Sequence, residues 1–150
     1  MKVYTVWILI FGMIFSISCS SDKQQSTTQP KQSAPVAKKE PDHPGKILYM
    51  QFCLACHMEG GQGVPGLYPP LIQTEYVLGE KDRLIGVVLN GMQGPIEVKG
   101  EQYNNIMAKL DYLQDQQIAD VLSYVRSHFG NEAEAITASE VSAVRARNVN

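Results

Sequence analysis

Cys53-Leu54-Ala55-Cys56-His57 is the stretch on which the reading of this chain turns. Residues at i, i+3 and i+4 share one face of a helical turn, so two thiols and an imidazole point the same way. The pattern C-x-x-C-H reads as a site of c-type haem attachment. Cys53 and Cys56 reach two vinyl groups on one porphyrin edge, and His57 turns its ring toward the iron. Thioether bonds make retention of the cofactor independent of its affinity, which lets a small domain hold a large group. Other readings fit less well. A thioredoxin-like redox pair needs a preceding strand and a βαβ context, whereas a helix-like stretch leads into this motif. A zinc site needs further ligands at suitable spacing, and only His43 and His128 remain. A disulfide between Cys53 and Cys56 leaves His57 without a role.

The rest of the composition agrees with a small specialised domain. The 150 residues are enough for one domain plus flanking segments. Lys and Arg number 13 against 15 Asp and Glu, a net charge of −2. That balance excludes the basic face of a nucleic-acid binder. Three cysteines, Cys19, Cys53 and Cys56, exclude both a disulfide-dense scaffold and a four-cysteine metal site.

The N-terminus reads as an export signal over 1–19. Lys2 precedes an uncharged run from Val3 to Ser18, short of the about 20 residues a membrane span needs and suited to a secretory core. Small residues lead into Cys19, an arrangement similar to a bacterial lipoprotein signal in which Cys19 is lipidated. Ser16 stands where a leucine is usual. An uncleaved anchor, or simple cleavage near Ser18, are the alternatives. All three place the domain outside the cytoplasm, and lipidation places it at the periplasmic face of a bacterial membrane. Residues 20–41 are rich in Ser, Gln, Thr, Pro and Lys and hold no aromatic side chain. They read as a disordered tether with a reach of roughly 25 Å.

The folded domain is expected over 42–130, with six basic residues against ten acidic ones. Helical patterns run over 45–53, 81–89 and 114–129, the last two stopped by Asn90-Gly91 and Gly130. Four glycines and three prolines between Gly60 and Pro70 mark a loop. Alternation near 96–103 suggests a small β-hairpin turning at Gly100. The tail, 131–150, contains Thr137-Ala138-Ser139-Glu140, a capping-box signature for a short helix.

An iron held by His57 has a second axial position. Met50, Met58, Met92, Met107, His43 and His128 are the candidates. Met50 and Met58 flank the motif and do not easily reach the opposite face. Met92, in a glycine-flanked turn, reads as core filler. Met107 lies far enough along the chain to pass around the cofactor, and its surroundings favour ligation.

Taken together, these residues resemble a class I cytochrome c of the small bacterial single-haem kind. The resemblance runs from about Pro44 to Asn131. Gly45 and Tyr49 match the family's first helix, Tyr68-Pro69-Pro70-Leu71 its proline loop, 83–107 its central run, and 113–131 its closing helix, with Tyr124 facing the first. The resemblance implies an all-α cytochrome c fold around one covalent haem c. It also implies that the carbonyl of Pro69 accepts a hydrogen bond from the His57 ring. A proline usually follows the methionine ligand, and Ala108 stands there instead.

The function expected is one-electron transfer, not catalysis, by a His57/Met107-ligated haem in a tethered carrier of a respiratory chain. Its partners would be redox proteins: an oxidase, a dehydrogenase or a quinol-oxidising complex. The acidic domain favours a basic or weakly charged partner. Two rivals remain: a subunit through which electrons enter a larger oxidase or dehydrogenase complex, and a five-coordinate haem that binds a small gas ligand.

Overall fold

A computed structural model describes residues 43–148. The signal at 1–19, Cys19, the tether at 20–41, the first residue of the expected domain and the last two residues lie outside the described residues.

Helix α1 (Pro44–Phe52) starts with proline at its first position, and the His43 ring accepts a hydrogen bond from the Gly45 amide. It runs into a one-turn helix α2 (Leu54–His57), with Cys53 between them. Another single turn, α3 (Glu75–Leu78), is capped by Thr74, whose hydroxyl accepts from the Val77 amide at 3.2 Å. The sequence reading did not anticipate α3, because four residues carry no period. Helix α4 covers Lys81–Asn90. Strands β1 (Ile96–Val98) and β2 (Glu101–Tyr103) pair antiparallel with Ile96 opposite Tyr103. Lys99 and Gly100, both at positive φ, make the two-residue turn that such hairpins favour.

Helix α5 spans Asp115–Ser127. It stops before the expected 129 because His128 is extended and Phe129 and Gly130 have φ of 60° and 76°. Its backbone meets α1 directly: a Cβ on Gly45 would overlap the Asp120 carbonyl. One turn along α1, Tyr49 is buried against Tyr124 and Phe129, with ring centroids 5.5 and 5.1 Å away.

Helix α6 (Ala138–Asn148) packs on α4 and α5. The Glu140 carboxylate accepts from the Thr137 amide at 2.7 Å, and the Thr137 hydroxyl accepts from the Glu140 amide at 3.3 Å. Ile136, Val141 and Val144 join the same buried cluster as Tyr49, Ile85 and Ile118. The body of the fold therefore runs past Gly130. Arg145 pins the helix down, pairing with Asp115 at 2.8 Å and donating to the carbonyls of Asp111 and Leu113. Buried Arg126 ties α5 to both flanking segments, donating to the carbonyls of Val77, Gly79 and Glu134. Among the described residues, no helix is long and apolar enough to cross a membrane.

Candidate haem site

The helical turn at the motif is built locally. The amide of Cys53 donates to Tyr49, and that of His57 to Cys53 at 2.9 Å. The turn ends at Met58, which adopts φ 65°. Its carbonyl accepts from the Tyr49 hydroxyl at 2.6 Å. Tyr49 thus does more than pack on α5: it anchors the residue after His57. The sequence placed this aromatic correctly on α1 but carried no sign of that bond.

The His57 ring is oriented from outside the motif. Its Nδ1 lies 2.9 Å from the Pro69 carbonyl oxygen, which can only accept, so Nδ1 carries the proton. Nε2 is left with the lone pair that binds a metal. Burial lowers the His57 pKa, and the bond to Pro69 works the other way. Burial also pushes the Cys53 thiol up to about 12, with the nearby Cys56 adding to the effect. A redox-active C-x-x-C pair has the opposite signature, a thiol with a depressed pKa. Cys53 and Cys56 are not joined by a disulfide. Among the described residues, no cluster of three or more His, Cys, Asp and Glu is placed to hold a metal ion.

Cys53, Cys56 and His57 open onto a largely apolar cavity of about 270 Å³. Met107 lines the same space, as do Val77 from α3, Leu84 and Val88 from α4, and Leu122 and Val125 from α5. The hairpin contributes Ile96, Val98 and Tyr103. These walls suit a large, apolar occupant, and the groups able to ligate a metal among the lining residues are two thiols, one imidazole and the two thioethers of Met92 and Met107. The residues fit a haem.

Of the other axial candidates, Met50 and Met58 are exposed, at 58% and 38%, and neither they, His43 nor His128 lines the cavity. Met92 corrects the sequence reading. It is not core filler: it lines the cavity beside Met107 and takes no part in the packed core, which Met107 does touch. Two glycines that the sequence reading counted only as loop and turn markers prove to be spacers at the site. A Cβ on Gly63 would come within 2.6 Å of the Pro69 oxygen, and one on Gly91 within 2.5 Å of the Met107 oxygen. Their positive φ values, 65° and 71°, also favour glycine.

The protein-family description "Cytochrome c" matches residues 43–129, and the chain belongs to the cytochrome c family. It is similar to cytochrome c-552 of Thermus thermophilus, 39% identical over 114 residues, covering 70% of this chain and 86% of that protein. It also resembles the gluconate 2-dehydrogenase cytochrome c subunit of Pantoea cypripedii, 33% identical over 135 residues, covering 87% of this chain. The fructose dehydrogenase cytochrome subunit of Gluconobacter japonicus is 33% identical over 111 residues, covering 68% of this chain. The chain spans only 30% and 22% of those two subunits. The protein is a single-haem class I cytochrome c, an electron carrier with covalently attached haem c and no catalytic activity of its own.

Proposed function

We propose that Cys53 and Cys56 hold the haem through thioethers and that His57 and Met107 are its axial ligands. On this reading the protein shuttles single electrons between respiratory complexes at the periplasmic face of a bacterial membrane. The observation that carries the assignment is the one apolar cavity shared by the three motif residues and Met107, with the His57 ring held by Pro69. The haem supplies an Fe(III)/Fe(II) couple. The chain's own residues set how that couple behaves. By donating Nδ1–H to Pro69, His57 fixes its ring plane and makes Nε2 more basic. A thioether from Met107 favours the reduced state relative to a second imidazole. Val77, Leu84, Val88, Leu122 and Val125 exclude water and keep the surroundings apolar. Two protein ligands leave no open position, which argues against a gas-binding role.

Absorption spectra of the holoprotein test this. A c-type reduced spectrum is expected, with the weak near-infrared band of Met–Fe(III) ligation and no response to carbon monoxide. Met107→His should abolish that band and lower the reduction potential. A wild-type spectrum that lacks the band and responds to carbon monoxide would overturn the assignment in favour of a five-coordinate haem.

The location rests on the sequence alone: a lipoprotein-like signal ending at Cys19 and a tether over 20–41. Mass spectrometry of the mature N-terminus checks it, and a diacylglyceryl group on Cys19 is the expected result. The dehydrogenase subunits among the relatives support a second reading, in which this chain serves a larger dehydrogenase or oxidase complex. Stable co-purification with such a complex after mild detergent extraction would favour it over a free carrier.

A further inference from the structure

Met92 and Met107 exchange backbone hydrogen bonds. The Met92 amide donates to Met107 at 3.0 Å, and the Met107 amide to Met92 at 2.8 Å. Directly opposed residues of such an antiparallel pair lie about 5.5 Å apart at Cα and send their side chains to the same face. Here that face is the haem cavity, which both methionines line. Gly91 makes the pairing possible, since a side chain there would collide with the Met107 carbonyl. Both side chains are half-buried, unbranched and flexible, so their thioethers sweep overlapping volumes. Only one of the two can occupy the single axial position left by His57.

We propose that Met92 is a reserve axial ligand, a second thioether held on the same rung as Met107 that takes over the iron when Met107 is lost. This rests on the assignment of Met107 made above. The exchange breaks one Fe–S bond and makes another. No electron or proton moves, and the iron keeps its oxidation state. The advantage is tolerance: conversion of Met107 to its sulfoxide, a common fate of methionine, would leave a thioether within reach.

Three holoprotein variants test the idea: Met92→Leu, Met107→Ala and the double variant. Met107→Ala should retain the near-infrared Met–Fe(III) band at no less than half the wild-type intensity, and the double variant should lose it completely. A haem-loaded Met107→Ala protein without the band overturns the proposal. Met92→Leu alone should keep the wild-type band. If it loses the band, Met92 is the resident ligand, and both the reserve role and the assignment of Met107 fall. Should Met107→Ala not accumulate, proton NMR of the reduced wild-type protein decides. One methionine methyl shifted far upfield by the haem ring is expected for the bound ligand, with a second, more weakly upfield-shifted methyl that is absent in Met92→Leu. A Met92 methyl at its ordinary position overturns the proposal.

Discussion

The carbonyl oxygen of Pro69 lies between the His57 ring and the α-carbon of Gly63. It accepts from His57 Nδ1 at 2.9 Å, and a Cβ on Gly63 would stand 2.6 Å from it. The Gly63 amide also donates to the His57 carbonyl at 3.0 Å, so the glycine touches both partners of the bond that orients the ring. The proline loop can approach His57 only because residue 63 has no side chain.

Gly63→Ala is therefore expected to do two things. It should cost about 2 kcal/mol or more, from the left-handed backbone and from the clash. It should also raise the reduction potential, because a weaker bond from His57 Nδ1–H to the Pro69 carbonyl leaves the imidazole less basic and the oxidised iron less well supported. Gly66→Ala is the control. Gly66 shares the positive φ but has nothing within 4 Å, so only a backbone cost of about 1–2 kcal/mol should appear. Thermal melts and redox titrations of both variants separate the effects.

Tyr49→Phe removes the hydroxyl that donates to Met58 and leaves ring packing on Tyr124 and Phe129 intact. The expected loss is about 1 kcal/mol in a denaturant titration of the haem-loaded protein. Tyr49→Leu should cost more, because the aromatic contacts go as well.

The start of α6 should respond to acid. The Glu140 carboxyl is held below its ordinary value, first by the Thr137 amide and next by Lys81, 3.1 Å away. A group with a depressed folded pKa stabilises the fold above its unfolded value, here 4.5, and loses that contribution as the pH falls through the folded value. At neutral pH, Glu140→Gln should cost about 0.5 kcal/mol, the modest worth of a partly exposed cap and ion pair. The difference in melting temperature from wild type should shrink steadily below pH 4.5.

The haem is expected to be a structural element. In a Cys53→Ser/Cys56→Ser variant the cofactor would no longer be covalently retained, and its loss would expose the largely apolar cavity walls to water. Far-UV circular dichroism of the haem-free chain should show much less helix than the holoprotein. Native helix content without haem would contradict this.

Much of the fold was legible because its signals are local. The apolar period of α4 and α5, the turn at Lys99-Gly100 and the Thr137–Glu140 capping residues each involve neighbours within about four positions. The sequence reading of α5 ran two residues long because side-chain periodicity continues through Phe129 while the backbone has already turned at His128. Met92 was misread for a different reason. In sequence it is one methionine between glycines, and its partner across the bridge is Met107, on the far side of the hairpin.

The sequence by itself carried the attachment motif, since C-x-x-C-H needs only one helical turn to align its three side chains. It likewise determined the longer helices α1, α4 and α5, whose apolar spacing follows from backbone geometry. Tertiary structure alone decided where Gly63 and Gly91 stand as spacers, that Tyr49 anchors Met58, that Ile136, Val141 and Val144 complete the core, and that Met92 shares the cavity with Met107. Those relationships depend on close contact between segments distant in the chain. Such contact is set by the packing of the whole body and leaves no periodic trace in any one segment.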